Sequence, residues 1–198
     1  MPFSRIVVAT TNADKLKEIE KLLADLPLEL VSLSTFRDVP PALEGEETFE
    51  ANARQKATHY AAATGEVVVA EDSGLEIDRL DGAPGVRSAR QPGRDYAERI
   101  ATLYADLDAR GGRDSAARFV CALALASSGA VLFEARGVVE GVVAPEPQGI
   151  GGFGYDPMFY YPPYGRTFAQ VSPEEKATVS HRGQAFRQLR VWLDAHVR

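Results

Sequence analysis

Two hydrophobic periods alternate along the chain. Ile6-Val7-Val8-Ala9-Thr10 is a continuous, largely β-branched apolar run and predicts a buried strand. Leu16, Ile19, Leu22, Leu23 and Leu26 then recur at helical spacing, with Lys17, Glu18, Glu20 and Lys21 on the opposite face. Thr11 or Asn12 can cap that helix. Residues 28–33 predict a second strand, and 37–47 a loop holding Pro40-Pro41 and the acids Glu44, Glu46 and Glu47. A second helix is expected over 48–64, with Phe49, Ala53, Ala57, Tyr60 and Ala61 inward and Gly65 ending it. Asn52 and Lys56, four apart, share one of its faces.

Val67-Val68-Val69 reads as a buried strand that delivers Ala70-Glu71-Asp72-Ser73-Gly74, where a backbone-permissive turn is expected. A turn-rich loop follows at 81–85 and a third helix over 95–110, with Ile100, Leu103, Tyr104 and Leu107 inward. Residues 117–126 and 130–144 predict longer strands joined by the hairpin signal Ser127-Ser128-Gly129. This pair should extend the sheet or form a second lobe. After the glycine-rich span 148–157 come a short strand over 158–161 and a turn or helical piece over 172–176. A final helix, capped by Ser180, runs to about 197 with Phe186, Leu189, Trp192 and Leu193 buried. Alternating strands and helices make this an α/β protein.

Composition narrows the function. Lys plus Arg total 22 against 28 for Asp plus Glu, a net charge of -6. That argues against a polynucleotide binder, which needs a basic face, but allows one nucleotide in a local basic pocket. The single cysteine excludes an intramolecular disulfide and suggests a reducing compartment. Its neighbours, Phe119-Val120-Cys121-Ala122-Leu123, mark a buried structural thiol. With no signal peptide and no apolar run of membrane-spanning length, a cytoplasmic protein with no membrane partner is expected.

Candidate chemistry gathers in four places, each ambiguous alone. The acids at 71 and 72 read equally as a site for a hard cation or as a solvated turn. The start of the first helix, with Lys15, reads as a phosphate site or as a plain capped helix. The span Gln148-Gly149-Ile150-Gly151-Gly152-Phe153-Gly154-Tyr155-Asp156-Pro157 lets backbone approach a ligand and offers aromatic plates. His181 and Arg182 sit in a first helical turn, where the dipole disfavours cations, as a ligand-held pair or an exposed one. Together these supply acids (Glu44, Asp72), cations (Lys15, Lys56, Lys176, Arg182), a flat-base platform (Phe153 to Asp156) and His181. That inventory fits a Mg-dependent nucleoside triphosphate enzyme.

The motifs in order carry a resemblance. Thr10-Thr11-Asn12-Ala13-Asp14-Lys15 resembles T-x-N-x-x-K, and Glu44-Gly45-Glu46-Glu47-Thr48-Phe49-Glu50-Ala51-Asn52-Ala53 resembles E-x-G-x-T-F-x-E-N-A. Ala70 to Leu75, Gly85 to Arg90, Gly151 to Pro157, Glu175-Lys176 and Ser180 to Gly183 complete the set. The chain is similar, over nearly its full length, to the inosine triphosphate pyrophosphatase (XTP/dITP diphosphatase) family. The resemblance implies a single domain over 1–198, with an elongated central mixed sheet flanked by helices and two lobes with the nucleotide cleft between them. It implies a homodimer that uses Mg to hydrolyse ITP, dITP and XTP to the monophosphate and pyrophosphate, cleansing the nucleotide pool. Thr10, Thr11, Asn12, Ala13, Asp14 and Lys15 would hold phosphates. Glu44 and Asp72 would bind Mg, with Asp72 also the proton acceptor. Lys56, Ser73, Phe153, Gly154, Tyr155, Asp156, Lys176, His181 and Arg182 would complete the substrate site. Thr11 stands where glycine is common in the family, and Glu71 where Asp is common.

In chemical terms, Asp72 would orient a water for attack at the α-phosphorus while lysines 15, 56 and 176 offset charge on the leaving pyrophosphate. A 6-oxo acceptor and N1–H donor distinguish hypoxanthine and xanthine from adenine. Amides or Arg182 facing O6, with Asp156 near N1–H, would leave buried groups unpaired if ATP bound. The competing readings are a catalytically silent nucleotide-binding regulator and a phosphatase that releases orthophosphate.

Overall fold

The computed structural model describes residues 3–43, 45 and 47–196. Its seven strands form one mixed sheet in the order β2-β1-β3-β4-β5-β6-β7. β1 (Arg5–Val8) pairs parallel with β2 (Glu29–Ser32) and with β3 (Val68–Ile77). Parallel neighbours need long crossovers, and here helices supply them: α1 (Ala13–Leu23) between β1 and β2, α2 (Phe49–Thr64) between β2 and β3. β4 (Ala116–Ser127) and β5 (Ala130–Val143) are joined by Ser128-Gly129, whose φ values of 51° and 80° are those of a two-residue type I′ hairpin. β6 (Phe159–Tyr161) pairs antiparallel with β5 and with β7 (Arg166–Thr167). α3 (Tyr96–Ala109), α4 (Pro173–Val179) and α5 (His181–His196) complete the fold.

The chain divides into two compact units. The first holds the described residues up to 72, with 121–137 and those from 181 onward. Its strands bury alternate positions on opposite faces. Ile6, Val8, Val69, Cys121, Leu123 and Leu125 meet Ile19 and Leu23 of α1 and Phe186, Leu189 and Leu193 of α5. The intervening positions Val7, Val68, Ala70, Ala122, Ala124 and Ala126 are small and equally buried. α2 covers that side: its Asn52 and Lys56 reach Asp72, which shares a face with Val68 and Ala70. The small inward residues of α2, Ala53, Ala57 and Ala61, match the small strand positions.

The second unit, 73–120 with 138–180, has its own core of Leu75, Ile77, Ile100, Leu103, Leu107 and the rings of Phe119, Phe159 and Phe168. Asp95 caps α3 by accepting from the Glu98 amide at 2.9 Å. The expected inward set of α3 is buried as the pattern predicts.

The acidic motif differs from expectation. No turn interrupts it at Ser73-Gly74: β3 continues to Ile77, and Asp72 lies mid-strand. The alternation of Leu75, Glu76 and Ile77 is the signal for that extension. Gly74 is required for close packing instead. A Cβ there would collide with the Ser88 side chain and lie 2.5 Å from the Gly85 carbonyl oxygen. Ser88 Oγ uses this space to accept from Leu75 N at 2.9 Å and donate to Gly85 O at 2.7 Å. The predicted hairpin strands lie within the single sheet. Ser180 is the one residue between α4 and α5, and its amide donates to Lys176 O at 2.8 Å.

Candidate active site

In the first unit the site begins at the end of β1. Asn12 caps α1, its Oδ1 accepting from the amides of Asp14 at 2.9 Å and Lys15 at 3.1 Å. The Asn12 amide donates to Thr10 Oγ1 at 3.2 Å. The cap therefore takes two of the amides that a helix start offers to an anion. Thr11, Ala13 and Asp14 are exposed. A cavity of roughly 470 Å³ opens beside this turn, with Thr11, Asn12 and Ala13 on one side and Ser34, Phe36 and Tyr60 among its other lining residues.

β3 then presents two consecutive acids to opposite faces of the sheet. Asp72 faces α2. Its Oδ2 accepts from Asn52 Nδ2 at 3.1 Å and its Oδ1 from Lys56 Nζ at 3.0 Å. Burial pushes this carboxyl above its ordinary value, outweighing the attraction of Lys56, and the neighbouring charge of Glu71 adds to the rise. Lys56, on a helix face that sequence pattern alone leaves solvated, is itself buried.

Glu71 faces α1 and α5 and is fully enclosed. Lys15 Nζ lies 2.8 Å and Arg182 Nη2 3.2 Å from its Oε1, and Cys121 Sγ donates to its Oε2 at 3.2 Å. Arg182 Nη1 also donates to Glu18 Oε2 at 2.5 Å. Burial favours protonation of Glu71, but Arg182 and Lys15 more than reverse it and hold the carboxyl well below the usual range. Burial, reinforced by Glu71, pushes the Cys121 thiol well up, consistent with a structural cysteine. His181, at the start of α5, is buried beside Arg182 in sequence.

The second unit carries a separate cluster. Asp156 Oδ2 accepts from Phe153 N at 2.8 Å and from Lys176 Nζ at 2.6 Å, and both charged side chains are buried. Lys176 Nζ lies 4.5 Å from the centroid of the half-buried Phe153 ring, a cation–π contact. Gly152 and Gly154 have φ of 65° and 67°, and a Cβ at 152 would strike the Asp156 carboxylate. Tyr155 points into the core, where its hydroxyl donates to Ser88 O at 2.7 Å and burial raises its pKa. Ser73, next to Asp72 in the chain, is half-buried.

The structure thus brings Lys15 and Arg182 together on Glu71, pairs Lys56 with Asp72 on the opposite face of β3, and gathers Phe153, Asp156 and Lys176 in a separate cluster. Each of the four candidate cations rests on a carboxylate. Sequence reasoning missed Glu18 and the central place of Glu71. The signal was an acid on the core face of a buried strand, which demands a buried cation. Glu44 lies outside the described residues. Among the described residues no group of three or more His, Cys, Asp or Glu side chains converges as a metal cage. No described helix is long and apolar enough to cross a membrane.

The chain is similar to known proteins. A dITP/XTP pyrophosphatase of an Exiguobacterium species is 45% identical over 185 residues, covering 93% of this chain and 94% of that protein. One of a Nostoc species is 45% identical, with 93% and 91% covered. A solved HAM1 protein from Coxiella burnetii is 43% identical and superposes with a TM-score of 0.89 over 98% of this chain and 100% of its own. The Ham1 protein of Staphylococcus aureus gives 33% identity and a TM-score of 0.85, with 96% and 98% covered. The Ham1 family model matches residues 6–192, and on that span and these identities the chain belongs to the Ham1 family.

Proposed function

We propose that this protein is a hydrolase that converts the non-standard purine nucleoside triphosphates ITP, dITP and XTP to the monophosphate and pyrophosphate, and so clears them from the nucleotide pool. The observation that carries the reading is Asp72: a carboxylate on a rigid central strand, held by one donor on each oxygen, in a chain whose relatives are dITP/XTP pyrophosphatases.

Asp72 orients the attacking water and accepts its proton, and its raised pKa suits a base better than an ordinary aspartate would. Its donor set also fits Mg. Each oxygen has accepted a single hydrogen bond, so lone pairs remain, and Mg takes only one or two carboxylates with water and phosphate filling the rest. Asp72 and Glu44 would hold the ion, which when bound lowers the pKa of coordinated water and neutralises charge on the phosphates.

Thr10 to Lys15 bind the phosphates, using the lysine and the amides that Asn12 does not take. Lys15 and Lys56 offset charge on the leaving pyrophosphate. Phe153 stacks the base, and Gly154, Tyr155 and Ser73 shape its surroundings. Asp156 receives the N1–H of hypoxanthine or xanthine, and Lys176, already on Asp156, serves the 6-oxo group. Adenine would reverse donor and acceptor at both points. His181 and Arg182 support the nucleotide from the start of α5, the arginine through its two carboxylates. On the resemblance described above the enzyme is a homodimer, and on the sequence features it is cytoplasmic.

Incubation with ITP and Mg, followed by separate assays for pyrophosphate and orthophosphate, tests the reading. Pyrophosphate from ITP, dITP and XTP but not from ATP is expected. No product would indicate a silent nucleotide binder, and orthophosphate a different phosphatase.

A further inference from the structure

We propose that Glu71 is a positioning residue: its buried carboxylate fixes the Lys15 ammonium at the first turn of α1, so that a triphosphate meets this cation already oriented. The inference rests on the phosphate role given to Lys15 above.

The geometry is a chain with a deep end and a wet end. Arg182 and Glu71 side chains are each 2% exposed, whereas Lys15 is 19% exposed. At the deep end the carboxylate is pinned by three elements. The α5 guanidinium lies 3.2 Å from Oε1, the β4 thiol donates to Oε2 at 3.2 Å, and the β3 backbone carries the residue. The guanidinium is itself fixed by Glu18 of α1. On this anchored oxygen the lysine rests at 2.8 Å. An ammonium has three donors, so one bond to Glu71 leaves two for phosphate oxygens. A lysine stem loses considerable rotamer freedom when ordered. Holding it before substrate arrives removes that cost from binding. Arg182 alone faces two carboxylates, Glu71 and Glu18, so Lys15 also balances the buried charge. Lys15 is the cation of the group that reaches solvent beside the helix start, since Arg182 does not.

The test is a double-mutant cycle on Glu71→Gln and Lys15→Ala. The glutamine keeps the volume and one acceptor but removes the charge. E71Q is expected to raise KM for ITP about tenfold with kcat changed less than about threefold, and to have less than about a twofold effect when Lys15 is already alanine. A merely structural role would impose the same factor in both backgrounds, and that result, or an unchanged KM, overturns the proposal. The same cycle read as the calorimetric Kd of Mg-pyrophosphate needs no turnover. A wild-type protein inactive on ITP would therefore sink the proposed function while the coupling of Glu71 to Lys15 was still decided. If E71Q does not fold, Glu71→Asp keeps the charge but withdraws the carboxylate by one methylene from Lys15 and Arg182 alike. It should raise KM about threefold in the wild-type background and have no effect with K15A.

Discussion

Replacing Asp72 by Asn should separate activity from stability. The substitution preserves shape. An asparagine oxygen can still accept from Lys56, and Asn52 can rotate its carboxamide to present oxygen to the new NH2 group, so both contacts, now 3.0 and 3.1 Å, are recoverable. Two electrostatic changes oppose each other. Lys56, itself buried, loses its counter-ion, and the protein no longer has to bury a carboxylate. The direction of the Asp72 shift decides between them: burial outweighs the attraction of Lys56, so the folded carboxyl titrates above its ordinary 3.8. A carboxyl whose folded pKa exceeds its unfolded pKa contributes stability below the unfolded value and loses it as pH rises through the folded one. At neutral pH in the metal-free protein the ionised Asp72 is therefore a net cost, which D72N removes. We expect D72N to stay within about 1 kcal/mol of wild type, or roughly 2–4 °C in Tm. Chemistry should suffer far more. Loss of a proton acceptor alone costs about 10²–10⁴ in rate, and loss of a metal ligand adds to it, so kcat should fall at least about 10³-fold, near 4 kcal/mol of barrier. The assays are thermal unfolding without metal and pyrophosphate release from ITP with Mg. Turnover within a few-fold of wild type, or a Tm lower by more than about 10 °C, would refute the reasoning.

Asp156→Asn takes the carboxylate charge from the Lys176 ammonium, whose side chain is 5% exposed, and should destabilise by about 3 kcal/mol. Adding Lys176→Met should recover most of that stability but not ITP turnover, and a D156N melting curve matching wild type would contradict the burial argument. Gly74→Ala places a methyl group 2.5 Å from the Gly85 backbone oxygen and should cost about 2 kcal/mol in denaturant unfolding. An unchanged midpoint would mean that β3 and the 85–90 segment are not held at this spacing. Chelation by EDTA should abolish pyrophosphate release at least about 100-fold with full recovery on added Mg, and persistent turnover would remove the metal from the mechanism.

The elements with strong periods were legible in the sequence. The leucines of α1, the inward set of α3 and the hairpin at Ser128-Gly129 all stand where pattern and turn chemistry put them. Pattern alone makes β3 too short because Asp72, Ser73 and Gly74 have turn-forming chemistry. What overrides it is tertiary: Ser88 fills the space that Gly74 leaves, and neighbouring strands pair on both sides. The site was legible as an inventory of acids, lysines and a glycine-rich aromatic span. The pairing was not, since it depends on which face of β3 each acid takes and on side chains more than a hundred residues apart, as with Glu71 and Arg182.

Glu71 and Asp72 differ by one step along an extended backbone, and the parity of that step assigns each its side. Inserting a single residue just ahead of the pair, within β3, would send Glu71 toward Lys56 and Asp72 toward Arg182, trading the anchored acid for the working one in a single event. Deletions and insertions at this point can be tolerated only in even numbers. Length variation among descendants of this chain should therefore collect in the loop between β2 and α2, and leave the frame from Val68 to Ile77 intact.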